Sequence, residues 1–140
     1  MKALTIWQPW ATLIACGAKQ LETRDWSTSH RGPLAIHAGK RWEKEQKKAC
    51  YTDPFREVLR GTKYRGASDL PRGKVLCVCT LDQVWPADNL SQHFELTARE
   101  KAFGSFAEGR FAWKLDIEKC FDDPIASRGK PGLWDFNYTL

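Results

Sequence analysis

Polar and apolar positions alternate over several short stretches of the chain, and a period of two is typical of strands. The alternation predicts six strands, at residues 2–6, 20–26, 34–38, 75–85, 110–117 and 133–138. In the stretch 75–85 both sets of alternating positions are mostly apolar, which is typical of a central strand that is covered on both faces. The pattern therefore predicts a chain built mainly from strands.

Helical spacing is confined to short segments between these strands. Trp10, Leu13 and Ile14 follow Pro9 at the spacing of one buried helix face, and Gly17 can take the left-handed conformation that ends a helix. Further helices are expected to begin near Trp42, to run from Asp53-Pro54 to Gly61, and to span residues 98–103 behind a Thr97–Glu100 capping box. Many short strands with few helices predict a mixed α/β, mainly β fold, a small barrel with helical insertions that forms one domain over residues 1–140.

The junction between the first helix and the second strand concentrates polar groups. Lys19 lies at the entrance of the strand, and alternation places Glu22 and Arg24 on one strand face. The same alternation points the Thr23 side chain away from Glu22. The sequence therefore predicts a compact cluster of an ammonium, a carboxylate and a guanidinium group.

The spacing Gly17-x-Lys19-x-x-Glu22-x-Arg24 resembles the signature of the ASCH (activating signal cointegrator homology) domain. The resemblance extends to four further stretches, IWQPWA at 6–11, RGPLAIHA at 31–38, GRFAW at 109–113 and GLW at 132–134, and it is weakest over 44–72. The pattern is similar to that of small stand-alone bacterial and phage members. The family belongs to the PUA-like β-barrels, many of which handle RNA, so the resemblance implies a PUA-like barrel.

The charge distribution favours an anionic partner. The formal net charge is +5, and the excess of Lys and Arg lies in the first half of the chain, whereas the second half is slightly acidic. A surface built by the first half would therefore attract an anion, and nucleic acid is the commonest such partner. Seven Trp residues provide flat faces that suit either a core or a base-stacking surface.

For PUA-like domains the resemblance implies a ligand cleft between the barrel and the first helix. In this interpretation Lys19 and Arg24 contact phosphate or a base edge, and Glu22 accepts from a base amino group or positions Arg24. Tryptophans supply a stacking face, Gln8 reads a base edge, and further cations extend the phosphate track. The predicted binding residues for RNA, another nucleic acid or a nucleoside are Trp7, Gln8, Trp10, Lys19, Glu22, Arg24, Trp26, Arg31, Lys40, Arg41, Tyr64 and Arg65.

The alternative is a hydrolase that uses the same cleft. Some ASCH-like proteins are amidohydrolases that act on N4-acylated cytidines, and others are reported to cleave RNA. In the amidohydrolase pattern a lysine activates a threonine three residues later, but here Glu22 stands at that position after Lys19. If the chain is an enzyme, Lys19 and Glu22 are the candidate catalytic residues, as a base–acid pair that directs water. In a ribonuclease, Lys19 and Arg24 would stabilise the charge that develops on phosphorus.

A third interpretation makes Glu22 and Arg24 a structural ion pair that fixes the first helix to the barrel.

The remaining residues add no further chemistry. Five cysteines, an odd number, and three histidines show no metal-ligand spacing, so neither a metal nor a cofactor is expected. No leader and no apolar run near the ~20 residues of a membrane span is apparent, and a cytoplasmic protein is the simplest expectation.

Overall fold

One six-stranded mixed sheet forms the framework of the computed structural model, which describes residues 1–139. The strands are β1 (Lys2–Ile6), β2 (Leu21–Arg24), β3 (Gly32–Ala38), β4 (Lys74–Pro86), β5 (Phe111–Ala126) and β6 (Leu133–Asp135). Their order is β2-β5-β4-β3-β1-β6. Only β1 and β3 pair in parallel, and the other neighbours are antiparallel. The sheet is curled into a half-barrel with β2 and β6 at its two ends.

Four short helices connect and cover these strands. They are α1 (Trp10–Ala15), α2 (Lys44–Cys50), α3 (Phe55–Arg60) and α4 (Ala98–Phe103), and 3-10 turns lie at Ala67–Asp69 and Ala87–Gln92. The predicted bounds of α4 are confirmed, and Thr97 accepts the Glu100 N–H as its cap. Helix α2 begins two residues after the predicted Trp42, because the Gln46 side chain accepts the Glu43 N–H at 2.9 Å and fixes the start there.

Helix α1 covers one face of the sheet and organises two apolar clusters. Its Ala11 and Ile14 pack with buried side chains of β1, β3, β4 and β5. Its Leu13 packs on the other side against Phe55 of α3 and Phe103 of α4. The helix thus joins the sheet to the two later helices, as the i, i+3, i+4 spacing predicts for a buried helix.

The opposite face of the sheet is covered by the C-terminal segment. Trp134 and Phe136 pack on Ala3, Ala35 and nearby valines of β4. The central strand is therefore covered on both faces, as its apolar pattern predicts. Its strict alternation is broken, because the pairing with β5 shifts register between Val75 and Cys77, and Leu76 joins the cluster under α1.

The last two strands differ in length from the prediction. Strand β5 runs to Ala126 rather than ending at residue 117, and β6 ends at Asp135 rather than at residue 138. The outer half of β5 is mostly exposed and polar, so its composition carries no strand signal. It stays extended because it pairs with the first half of β4, in which Lys74 lies opposite Ala126.

Over residues 1–139, no helix combines the length and the apolar character needed to cross a membrane. The same residues contain no group of three or more His, Cys, Asp or Glu side chains placed to hold a metal ion.

Candidate functional site

The end of α1 brings Lys19 under the start of β2. Gly17 has a φ of +84°, in the left-handed region, so the chain reverses there. The Lys19 N–H then donates to the carbonyl oxygen of Leu13 at 3.0 Å, which closes the turn onto the helix. The helix–turn–strand junction predicted from the sequence therefore determines where the Lys19 side chain begins.

The three charged groups of the signature converge. Glu22 lies between two cations: its Oε1 is 3.5 Å from Lys19 Nζ, and its Oε2 is 3.3 Å from a terminal nitrogen of Arg24. Lys19 Nζ also donates a hydrogen bond to the Leu21 carbonyl. Exposure rises along the cluster, from 0% for the Lys19 side chain through 8% for Glu22 to 25% for Arg24. The Glu22 carboxylate is thus held in place by charge on both sides.

Lys19 is the most deeply buried member of the cluster. Its ammonium group contacts the Leu21 carbonyl and Glu22, and Lys19 is not among the residues that line the cleft described below. Its direct contact with phosphate or a base edge stays a prediction.

A second carboxylate near Lys19 was not predicted. Glu100 of α4 accepts the backbone N–H groups of Gln20 and Leu21 through one oxygen, at 2.5 and 3.1 Å. Its other oxygen is buried without a hydrogen-bond partner among the described residues. Burial raises the pKa of the Glu100 carboxyl, against the opposing effects of the Gln20 N–H and the Lys19 charge. The capping-box motif predicts the hydrogen bond from the Glu100 N–H to the Thr97 side chain. It does not predict that the Glu100 side chain turns towards Gln20 and Leu21.

A cleft of about 480 Å³ opens above Glu22 and Arg24. One wall carries Trp7, whose side chain is one of the few large apolar groups left exposed, at 43%. The other walls come from α1, α4 and the segments that follow α4. The lining consists of Thr5, Ile6, Trp7, Trp10, Glu22, Thr23, Arg24, Glu45, Ala102, Phe103, Gly104, Ser105 and Arg110.

Thr23 also lies in this lining, and its side chain is on the strand face opposite to Glu22, as alternation predicts. Ala112, the partner of Thr23, packs with Leu21. Trp113, the partner of Glu22, packs instead in the cluster under α1. The Thr23 hydroxyl accepts the Ser105 N–H at 3.0 Å, and Arg110 donates to the Thr23 carbonyl at 3.0 Å. Neither Ser105 nor Arg110 was predicted for the site, because each is more than eighty residues from Thr23.

Two further predicted residues meet at the rim of the cleft. The Arg41 guanidinium lies 4.5 Å from the centre of the Trp7 ring, and Arg41 also pairs with Glu43 at 3.0 Å. A cation over an indole ring is a favourable arrangement that also keeps the ring extended. Trp7, Trp10, Glu22 and Arg24 are therefore brought together in one cleft, with Arg41 beside it.

Other predicted residues lie elsewhere. Gln8 is fully buried, and its amide bonds to the Pro71 carbonyl and the Thr12 N–H, so it does not face the cleft. Trp26 is not in the cleft lining but lies beside it: its ring packs edge-on against Trp113, and the Arg24 guanidinium lies 5.8 Å from the ring centre. The structure places Arg31 against the carbonyls of its own turn, Tyr64 and Arg65 in a separate pocket beside α3, and Lys40 in a cavity next to the cleft.

The six-stranded sheet and the charged cleft beside its first helix define a small mixed α/β domain with a concave polar site. Residues 4–121 match the model of the ASCH domain family. The chain therefore belongs to the ASCH domain family, as the resemblance in the signature and the flanking stretches predicts.

Two mammalian proteins are similar over nearly the whole chain. Activating signal cointegrator 1 of Mus musculus is 40% identical over 142 residues, and that of Homo sapiens is 38% identical over 138 residues. Each alignment covers 98% of this chain but 22% of the relative, so the chain spans about a fifth of their length. Among solved structures, the ASCH protein of Zymomonas mobilis aligns with a TM-score of 0.49 at 15% identity, covering 89% of this chain and 72% of that one.

Proposed function

We propose that this chain binds single-stranded nucleic acid, most simply RNA, in the cleft between the half-barrel and α1. The observation that supports the proposal is the Glu22 carboxylate, which two cations hold at the base of a cleft with an exposed indole at its rim. A fixed acceptor beside a guanidinium suits the edge of a base, and an indole face suits its plane.

Each residue has a distinct part in this proposal. Glu22 accepts from an exocyclic amino group, and Arg24, the more exposed cation, donates to a base edge or a phosphate. Trp7 stacks on a base, with Arg41 over its ring. Lys19 is a positioning residue, since its buried ammonium group holds the Glu22 carboxylate in place.

A second candidate function is hydrolysis in the same cleft, of an N4-acylated cytidine or of RNA. It is favoured by the Glu22 carboxylate, which lines the cleft between Lys19 and Arg24 and offers a base for a water molecule. In this case Glu22 directs the water molecule, and Lys19 holds the Glu22 carboxylate in position. Arg24 would then stabilise the developing negative charge.

The experiment that separates these functions is a titration of the chain with short single-stranded RNA, DNA of the same sequence, cytidine and N4-acetylcytidine at two salt concentrations. A module that tracks phosphates loses affinity with salt at a log–log slope of roughly −0.7 per phosphate neutralised. Affinity for a nucleoside alone changes little with salt. Release of acetate from N4-acetylcytidine, or shortening of the RNA, identifies the hydrolase.

Arg24→Gln is the informative variant, because Arg24 lines the cleft and its side chain is 25% exposed. Arg99→Gln, at an exposed position of α4, is the control for the loss of one guanidinium group. We expect Arg24→Gln to weaken RNA binding at least tenfold more than the control, since charge-assisted bonds of this kind are worth roughly 1.5–3 kcal/mol. If the two variants bind RNA with equal affinity, the cleft is not the RNA-binding site.

A further inference from the structure

A second cavity, of about 610 Å³, adjoins the cleft. The two cavities share Thr5, Trp7 and Arg24 in their linings, so Trp7 and Arg24 stand between them. The rest of this second cavity, called here the basic pocket, is formed by the segment after β3 and the turn between β5 and β6. Its further cations are Lys40, Arg128 and Lys130.

Of the four cations that line the basic pocket, Arg24 pairs with Glu22, and the other three have no carboxylate partner among residues 1–139. Among residues 1–139, no Asp or Glu lines the basic pocket. Within the same residues, Lys40, Arg128 and Lys130 have no carboxylate oxygen within 4 Å. The hydrogen bond from Lys2, at 2.9 Å, is the main cause that lowers the pKa of Asp135, and the charge of Lys130 adds to it only as the smallest effect. Concave sites lined by one sign of charge concentrate the field and attract the opposite ion.

Two glycines of the basic pocket disfavour a side chain, Gly129 through close packing and Gly73 through its left-handed backbone. A Cβ atom at Gly129 would lie 2.6 Å from Thr5 Oγ1 and 2.7 Å from the His37 ring. Gly73 has a φ of +67°, and a Cβ atom there would lie 2.8 Å from the Lys40 side chain. The turn therefore lies directly on the sheet, and the Lys40 side chain lies across Gly73.

Hydrogen bonds fix the start of this turn. Trp134 Nε1 donates to Thr5 Oγ1 at 3.1 Å, and Thr5 in turn is 3.1 Å from His37 Nδ1. His37 Nε2 is 2.8 Å from the Ser127 carbonyl and donates to it. Burial lowers the pKa of His37, so the ring is neutral near pH 7, and Nδ1 of this neutral ring accepts from the Thr5 hydroxyl. The basic pocket thus has a rigid floor, and its charge comes from the lysines and arginines.

We propose that the basic pocket binds a phosphate group of the same strand whose base occupies the cleft. This inference rests on the proposed nucleic-acid binding and adds the position of the backbone. Arg128, Lys130 and Lys40 neutralise the phosphate, and Arg24, which lines both cavities, contacts the nucleotide between base and phosphate. The ligand is accordingly a phosphorylated nucleotide unit rather than a free nucleoside.

The test uses Arg128→Gln/Lys130→Gln, which removes two exposed cations from the basic pocket. The matched control is Lys47→Gln/Lys48→Gln, which removes two exposed cations from α2 outside both cavities. Both are titrated with an RNA trinucleotide that carries a 5′-phosphate, a 3′-phosphate or neither. We expect the pocket variant to lose at least tenfold in affinity, the control less than threefold, and the salt slope of the pocket variant to fall by about 0.7 per phosphate released.

The three ligands identify which phosphate binds. A preference of the wild-type chain for one phosphorylated end that disappears in the pocket variant identifies a terminal phosphate. Equal affinities of the three ligands, all reduced in the pocket variant, identify an internal diester. If the pocket variant binds every ligand as well as the control does, the basic pocket does not bind phosphate and the inference is overturned. If Arg24→Gln loses binding in the same assay, the proposal that the cleft binds nucleic acid still stands.

A nuclear magnetic resonance titration keeps the two proposals separable. A nucleoside 5′-monophosphate should shift the backbone amide signals of Gly129 and Gly132, and the unphosphorylated nucleoside should not. Shifts at these glycines with no binding of any oligonucleotide would support the basic pocket and contradict the proposed function. The absence of shifts with the monophosphate, together with unchanged oligonucleotide binding by the pocket variant, would contradict the pocket.

Discussion

The Glu100 carboxylate of α4 accepts a 2.5 Å hydrogen bond from the backbone N–H of Gln20, eighty positions earlier in the chain. The same oxygen accepts the Leu21 N–H at 3.1 Å. These two N–H groups belong to the start of β2, the strand that presents Glu22 and Arg24 to the cleft. A helix inserted between β4 and β5 therefore holds the strand that carries the signature residues.

We expect Glu100→Ala to destabilise the fold by about 2–4 kcal/mol, because it leaves two N–H groups near the start of β2 without their acceptor, and each unsatisfied buried group costs roughly 1–3 kcal/mol. Urea unfolding followed by tryptophan fluorescence measures the loss. Glu108→Ala, at an exposed position after α4, is the control. A Glu100→Ala protein as stable as the control would mean that β2 is held without this contact.

The local signals of this sequence predict the signature junction well and the long-range contacts poorly. Pro9, Gly17 and the spacing of Leu13 and Ile14 are local, so α1 and the turn to β2 follow from them. The direction of the Glu100 side chain depends on a strand eighty residues away, and no local pattern encodes it. A capping box predicts a bond back to Thr97 instead, and the competing backbone groups of β2 take the carboxylate.

The same limit applies to the basic pocket and to β5. The outer half of β5 has exposed acidic and basic residues and Pro124, which favour a turn by composition, yet pairing with β4 keeps it extended. Because β5 continues to Ala126, the following turn returns to β1 beside Thr5 and His37. The meeting of Arg128 and Lys130 with Arg24 depends on this strand length, which the sequence pattern underestimates.

We expect the effects of replacing Lys19 and Glu22 on the free energy of unfolding to be coupled. Lys19→Met leaves Glu22 buried beside Arg24 alone, and breaking a buried pair from one side costs roughly 3–5 kcal/mol. Adding Glu22→Gln removes the uncompensated charge, so the double variant should be more stable than the sum of the single changes predicts. Urea unfolding of the four proteins measures the coupling, and Lys48→Met at an exposed position is the control. Strict additivity would show that the two charges are independent.

Replacing Trp7 should weaken RNA binding and leave the stability of the fold nearly unchanged. Its ring is 43% exposed and carries Arg41 over its face, so Trp7→Ala should change the free energy of unfolding little. Loss of a stacked base costs roughly 1–3 kcal/mol, so we expect RNA affinity to fall by roughly 5- to 150-fold. Tyr51→Ala, which removes a 69% exposed aromatic ring outside the cleft, is the control in the same titration. RNA affinities that are equal for the two variants would exclude Trp7 as a stacking surface.

His37 makes stability depend on pH in a defined direction. Burial lowers the pKa of His37 in the folded protein, and the charge of Lys40 acts in the same sense against the hydrogen bond from the ring to Ser127. The unfolded chain therefore takes up a proton at this histidine at a higher pH than the folded chain does. The stabilisation that the neutral His37 ring provides is complete above the usual histidine pKa of about 6.5, and it is lost as the pH falls through the pKa of His37 in the folded protein. We expect the stability difference between the wild-type protein and His37→Gln to shrink as pH is lowered from neutral towards 5, measured by urea unfolding at each pH. His93→Gln, at an exposed position, is the control for the loss of one imidazole group. If the stability difference between the wild-type protein and His37→Gln stays constant with pH, the ring is not neutral in its contacts with Thr5 and Ser127.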